Sequence, residues 1–168
     1  FVSFIIAEQT EKISYTVKYN NIKAGNAILE HSVLQNDFKE IKFNLKSKKI
    51  IDLIYKLREK ITIIANGENY SIKSINKESR QGKYNKEYQA LFDYENFIGK
   101  INDKKLAIQN KVYDPISVIY DLRNQLLEIG IFFRYDVLSK DSIDSIEMHI
   151  VDKEKITFNN SEHDCFVI

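Results

Sequence analysis

The sequence predicts a mainly β protein: a curved antiparallel sheet or a partly closed barrel or sandwich, with one helix at about 114–128 and a shorter one at about 48–57. Three observations support this fold class. Apolar and polar side chains alternate along many segments, as in strands with one buried face. The connections are of hairpin size, which favours antiparallel pairing. Ten Tyr and ten Phe suit a pleated, half-buried surface.

The first strand shows the alternation most clearly. Polar residues separate Ile13, Tyr15, Val17 and Tyr19. Gly25 lies near the start of the second strand and is a candidate structural residue. Further strands are predicted at 24–34, 38–45, 58–65, 70–79, 84–94, 97–101, 106–108, 131–138, 143–151, 155–158 and 164–168, with tight hairpin turns at 66–67 and 102–103.

The later helix has clear start signals. Asp114 is a good N-cap, and Pro115 suits the first helical position, where a missing N–H costs nothing. Gly130 fits the left-handed position that follows a helix. The apolar stripe of the helix is predicted to face the concave side of the sheet, because a lone helix of this length is marginal in water. The stripe consists of Ile116, Ile119, Tyr120, Leu122, Leu126 and Leu127.

The region around residue 48 carries two further predictions. Ser47 is a candidate cap for the short helix, in which apolar residues recur at helical spacing. The basic run Lys46, Lys48 and Lys49 is interpreted as a solvated strand end rather than a nucleic-acid contact.

Length and charge bound the class of protein. A chain of 168 residues fits one domain and buries about 70% of its unfolded surface, so it needs no disulfide or metal to hold a core. The net charge is +1, from 25 basic and 24 acidic residues spread along the chain. A nucleic-acid-binding protein would show a clustered basic excess, so no nucleic-acid partner is expected.

The apolar runs at the two ends predict export and truncation. Residues 1–7 (FVSFIIA) are typical of the end of a signal peptide, the alternative being a first buried strand. We therefore expect a single β-rich domain over 8–168 in a bacterial protein exported to the periplasm or beyond. The chain stops within the apolar run 165–168, so truncation at the C-terminal end is expected. No segment approaches the ~20 apolar residues of a transmembrane helix.

No catalytic residues are predicted. The sequence lacks a glycine-rich phosphate loop, a nucleophile elbow and a helical zinc pair, and no cofactor is expected. Cys165 and His163 would share a strand face, where His could activate the thiol, but a buried structural Cys165 is favoured because free Cys behaves as a core hydrophobe. His149 and Asp164 could join them as metal ligands, but this spacing matches no known site and no metal is predicted.

Four residues are tentative ligand contacts: Tyr15, Tyr19, Tyr120 and Arg123. Arg123 lies at the margin of the helix stripe and could hold a carboxylate or phosphate by two parallel hydrogen bonds. A structural role, with its head group reaching solvent or bracing a strand end, is favoured over ligand binding.

Three segments resemble one protein family. Residues 15–27 (YTVKYNNIKAGNA) resemble its opening strand, residues 114–123 (DPISVIYDLR) its Asp-Pro-Leu-Ser helix ending in Leu-Arg, and residues 164–168 (DCFVI) a late strand that often carries Cys. The family is the domain of unknown function 3108, found in exported bacterial proteins. The resemblance runs from about Tyr15 to the end of the chain. It implies a β-rich fold and export to the periplasm or outer surface, and it implies no activity.

Two turns depart from the family pattern. The family has a glycine-containing turn after its penultimate strands and a Thr-Pro-x-Gly turn before the Cys strand. Here these stretches read LSK at 138–140 and ITFNN at 156–160. The departures concern the geometry of the turns and not the strands.

Three functions are considered. The first is a non-enzymatic envelope protein that holds a lipid or other apolar ligand in the concave face of the sheet. The second is a structural or partner-binding module without a ligand, which uses an exposed sheet edge or face to contact a protein such as another envelope protein. The third and remotest is a hydrolase that uses the thiol of Cys165.

Overall fold

A computed structural model describes residues 10–140 and 142–168, which divide into two compact units between Gln109 and Asn110. The predicted fold class is confirmed: the protein is mainly β, with a large antiparallel sheet and two helices. The signal-peptide prediction at 1–7 lies outside the described residues.

The first unit is an eight-stranded antiparallel sheet in which each strand pairs with its neighbours in the chain. Strands β1 and β8 are its two edges, so the sheet does not close into a barrel. The short helix α1, Lys49–Asp52, connects β3 to β4. The strands are β1 Thr10–Tyr19, β2 Ile22–Val33, β3 Phe38–Ser47, β4 Leu57–Asn66, β5 Ile72–Gln81, β6 Tyr84–Asp93, β7 Ile98–Ile101 and β8 Lys104–Ala107.

Side-chain alternation gives this sheet one apolar and one polar face. Residues in register on the apolar face are buried, and they are Ile41, Ile63, Ile75, Ala90 and Ile101. Residues in register on the polar face are Lys42, Thr62, Asn76 and Gln89. The strand predictions hold because this period-two pattern runs almost unbroken from β1 to β6.

The predicted turn at 102–103 is confirmed, since it joins β7 to β8 and Asn102 has a positive φ of 49°. The predicted tight turn at 66–67 is wrong. A longer loop connects β4 to β5, and there Tyr70 takes the positive φ, 53°. Gly67 is needed for a close approach instead: a Cβ on it would lie 2.1 Å from the backbone oxygen of Asp37.

The second unit contains helix α2, Pro115–Leu122, and two small sheets. The three-stranded sheet has the order β11-β10-β9, and β12 pairs with β13 alone. Strands β9 and β10 are parallel, which the antiparallel prediction missed, and α2 lies in the crossover that such a pair requires. The strands are β9 Val112–Tyr113, β10 Phe132–Ser139, β11 Ser142–His149, β12 Asp152–Phe158 and β13 Ser161–Val167.

The N-cap of α2 is as predicted. Asp114 Oδ1 accepts a hydrogen bond from the Ile116 N–H at 2.9 Å, and the Ser117 hydroxyl accepts from the Asp114 N–H at 2.9 Å. These bonds form a capping box, with Pro115 at the first helical position.

The predicted ends of both helices are wrong. Helix α2 ends at Leu122 and not near 128, and Gly130 takes its positive φ of 91° in a later turn, where its N–H donates to the Ile150 oxygen. Helix α1 spans four residues rather than 48–57, and its N-cap is Lys48 rather than Ser47. In both segments the apolar residues keep their helical spacing beyond the last helical residue, so the sequence pattern predicted helices that are too long.

The packing of α2 also differs from the prediction. Val118 and Leu122 are buried in a cluster with the β9 and β10 residues Tyr113, Tyr135 and Val137. Ile119, predicted to pack on the concave side of the sheet, is 57% exposed. A helix of eight residues presents only one narrow face to β10, and Ile119 lies off that face.

Candidate ligand-binding site

An apolar cavity of about 490 Å³ lies in the first unit, at one end of the apolar face of the sheet. It is formed by the ends of β1 to β4 and by α1 with the turn that follows it. Its size lies within the usual range for small-molecule sites. The lining residues are Val17, Lys18, Tyr19, Ala24, Gly25, Leu45, Ser47, Ile51, Ile54, Tyr55 and Leu57.

A β-bulge shapes the β1–β2 wall of the cavity. Val17 pairs with Gly25 and Lys18 pairs with Lys23, which leaves Ala24 as the extra residue on β2. A bulge bends and twists its strand, so it re-aims the side chains around it. The three consecutive β1 residues from Val17 onward consequently all line the cavity, which regular alternation does not permit.

Gly25 fixes the distance between β2 and β3 at the base of the cavity. A Cβ on Gly25 would lie 2.6 Å from the backbone oxygen of Lys46, closer than real Cβ contacts. The strands can therefore keep this register only with glycine at position 25.

Helix α1 and the following turn form the opposite wall. The Lys48 N–H donates to the Ala24 oxygen at 2.8 Å, which ties the start of α1 to the bulge. Ile51, Ile54 and Tyr55 line the cavity from this side. The wall is thus attached to β2 by its backbone and contributes two aliphatic side chains and one aromatic side chain to the lining.

A charged cluster holds α1 against β4. The Arg58 guanidinium donates to Asp52 Oδ1 at 2.9 Å and to the Ser47 hydroxyl at 2.8 Å, and it also bonds Asp52 Oδ2. The Ser47 hydroxyl donates to Asp52 and accepts from the Leu57 N–H at 2.8 Å. Arg58, and then Ser47, hold the pKa of Asp52 down at about 2. This carboxylate is therefore a poor proton acceptor at neutral pH.

Three of the apolar and aromatic lining side chains also face solvent. Tyr19 is 73% exposed, Ile54 88% and Tyr55 49%. These residues therefore form the rim of the cavity, which opens to solvent between β1 and the turn after α1.

The four tentative ligand residues are divided between the two units. Tyr19 is at the cavity rim, and Tyr15 lies on the same strand with about half of its surface exposed. Tyr120 is buried in α2, and the Arg123 guanidinium lies 5.1 Å from the centre of its ring, a cation–π contact. Their ligand contacts stay predictions.

A buried acidic pair lies in the second unit. The Tyr135 hydroxyl donates to Asp121 Oδ2 at 2.7 Å, and Gln125 adds a longer bond at 3.3 Å. Burial, and then this hydrogen bond, raise the pKa of Tyr135. The pair joins the last turn of α2 to β10, and neither residue lines the cavity described above.

The prediction that Cys165 is buried is wrong: it is half-buried on β13. His163 lies two residues away on the same strand and is exposed, and its ring is tilted against Phe158. Within 10–140 and 142–168, no group of three or more His, Cys, Asp or Glu side chains is arranged to hold a metal ion.

Sequence reasoning missed most of the cavity wall. Val17 and Leu45 were assigned to strands, and Ile51 and Leu57 to the short helix, but the bulge and α1 are what bring them together. One sequence signal was available: 50–57 has more apolar residues than a four-residue helix can bury.

The comparison with protein families identifies the fold family. A family model described as a protein of unknown function, DUF3108, matches residues 14–168. The chain belongs to the DUF3108 family. This confirms the resemblance in residues 15–27, 114–123 and 164–168. No curated protein and no solved structure matches the chain.

The structure resolves one departure of this DUF3108 chain from the family pattern. Asn159 and Asn160 have φ of 50° and 62° and join β12 to β13 directly. Asparagine tolerates such angles, so the pair makes a tight turn without Pro or Gly. In the described part of this DUF3108 protein, neither helix has the length and apolar character to span a bilayer.

Proposed function

We propose that this DUF3108 protein is a non-enzymatic binding protein of the bacterial envelope, exported to the periplasm or beyond. Its ligand is an acyl chain or similar apolar group held in the cavity between β1, β2 and α1. The observation that carries the proposal is the cavity itself: about 490 Å³ with an almost wholly apolar lining. Burial of apolar surface drives such binding.

The polar groups at the cavity support binding rather than catalysis. Only Lys18 and Ser47 among the lining residues carry a polar side chain other than tyrosine. The Ser47 hydroxyl is engaged with Asp52 and Leu57. Asp52 is a poor general base for it, because Arg58, and then Ser47, lower the pKa of that carboxylate to about 2 and so weaken its affinity for a proton.

Filling the cavity tests the proposal. Val17→Trp places a large ring in the lining, and Ile13→Trp places the same ring on the same face of β1, away from the cavity. A fluorescent fatty acid such as cis-parinaric acid is titrated into each protein. We expect Val17→Trp to weaken binding by about tenfold or more, because the indole ring occupies volume that the ligand would otherwise fill.

The control and the native ligand complete the test. Ile13→Trp should bind the probe as the unmodified protein does. Equal affinity in all three proteins would place the probe elsewhere and refute the proposed site. Mass spectrometry of the protein purified intact from its native envelope should show a copurifying lipid, which Val17→Trp should lose.

A further inference from the structure

Exposed apolar side chains extend the rim of the cavity over α1 and the β1–β2 turn. Ile50 is exposed, Leu53 is 85% exposed and Ile54 88%, all within α1 and its following turn. Tyr19 and Ile22, on either side of the β1–β2 turn, are also exposed. Soluble proteins avoid clustering such side chains in water unless the cluster contacts a partner.

Lysines surround this apolar rim. Lys18 and Lys23 stand directly opposite each other across β1 and β2, an arrangement of like charges that destabilises a sheet. Lys48 and Lys49 are exposed at the start of α1, which the Lys48–Ala24 backbone bond holds beside that pair. The one acidic residue between Lys46 and Lys56, Asp52, is paired with Arg58.

We propose that this rim docks on the surface of an anionic lipid bilayer. The apolar side chains of Ile50, Leu53 and Ile54 enter the boundary between headgroups and acyl chains. The ring of Tyr19 lies at the depth of the headgroups. The lysines contact the anionic headgroups. The attraction of Lys18 and Lys23 to the anionic headgroups then offsets the destabilisation that their mutual repulsion causes in the sheet.

The inference rests on the proposed function in one respect: it assigns the bilayer as the source of the acyl chain. Because Tyr19 and Ile54 both line the cavity and face outward, a docked rim would open the cavity directly to the acyl region. The acyl chain would move between bilayer and cavity without crossing water, which is the costly step for an apolar group.

Vesicle binding tests the inference with matched variants. The full chain is floated with phosphatidylcholine vesicles with and without phosphatidylglycerol. We expect binding that requires phosphatidylglycerol and falls about tenfold or more in the double variant Lys48→Glu, Lys49→Glu. The double variant Ile50→Ser, Leu53→Ser, which leaves the lining residue Ile54 unchanged, should lose binding as well, because its apolar contact is removed.

Two controls carry the same chemistry elsewhere. Lys104→Glu with Lys105→Glu changes an exposed lysine pair on β8, and Leu126→Ser with Ile129→Ser removes exposed apolar side chains from the second unit. Both should bind vesicles as the unmodified chain does. Equal losses in the controls and the rim variants, or no vesicle binding at all, would overturn the inference.

The acyl probe separates this inference from the proposed function. A rim variant that still binds cis-parinaric acid is folded, so its loss of vesicle binding is a docking defect. If the unmodified chain binds the probe but not the vesicles, the proposal that the rim docks on a bilayer is refuted and the proposed function stands. A protein partner would then be the occupant of the rim. Vesicle binding without probe binding refutes the cavity as an acyl site and, with it, the bilayer as a source of ligand.

Discussion

Helices α1 and α2 each connect two strands, and each carries an aspartate that bonds to the strand that follows. In α2, Asp121 bonds Tyr135 in a buried position, and the apolar side chains of the helix enter a core. In α1, Asp52 bonds Arg58 near the surface, and none of the helix residues is buried. The apolar residues of α2 pack in a core, whereas in α1 Ile50 is exposed and Ile51 lines the cavity.

The largest expected effect on stability is in α2, whose apolar side chains are buried in a core. Leu122→Ala should lower the free energy of unfolding by about 2–5 kcal/mol, because it leaves a cavity beside Tyr135 and Val137. Urea denaturation monitored by circular dichroism measures the change. Leu53→Ala, just after α1, should change it by less than about 0.5 kcal/mol, since its side chain is exposed.

The control for this prediction lies within α2 itself. Ile119→Ala removes a large aliphatic side chain from the exposed side of the helix and should behave as Leu53→Ala does. If Ile119→Ala proved as damaging as Leu122→Ala, the helix would be packed by a different face. If Leu53→Ala were equally damaging, the comparison between the two helices would fail.

A smaller effect is expected at the helix starts. Asp114→Ala should cost about 1 kcal/mol, because it removes the side-chain cap of α2. Asp114→Ser should retain most of that stability, since serine can accept the same hydrogen bond. Lys48→Ala should have little effect on stability, because the Lys48 side chain makes no cap in α1. Thermal denaturation of the three variants would rank them, and equal midpoints would show that the capping box does not matter.

The smallest expected effect is the loss of stability at acid pH that follows from protonation of Asp52 in α1. The pKa of Asp52 is lowered to about 2, so its pairing with Arg58 stabilises the folded chain fully at neutral pH. That contribution is lost as the pH falls from the ordinary aspartate value, about 4, through 2. Asp52→Asn and Arg58→Gln should each remove this part of the pH dependence, measured as urea midpoints from pH 6 to pH 2. A variant that kept the unmodified profile would show that the pair contributes nothing.

The sequence predicted the strands and the start of α2 because those features are encoded locally. Alternation locates β1 to β6, and Asp114 with Pro115 specifies the helix start. The end of α2 was wrong because the apolar stripe continues to Leu127 although the helix stops at Leu122. That choice depends on what the helix packs against, which no local pattern records.

The candidate site was harder to predict than the fold. Tyr19 was named from the alternation of β1, but the cavity also needs the bulge at Ala24 and the tie from Lys48 to its oxygen. Both features depend on the register between strands. The apolar residues of 50–57 predicted a helix longer than α1, because sequence spacing alone cannot say where a helix ends or whether its apolar side chains are buried.

The chain-order pairing of the eight-stranded sheet has a consequence for how the protein acquires its structure. Every strand of this sheet finds its partner one hairpin away, which is a topology of low contact order and favours rapid folding. The parallel pair β9–β10 has no such short-range start, because both of its contacts, Val112 with Asp136 and Tyr113 with Val137, close a long loop. We expect the second unit to refold more slowly than the first. During synthesis, when the N-terminal part of the chain emerges first, each new strand of the eight-stranded sheet could pair with the strand before it. Only the most recently added strand would then await a partner.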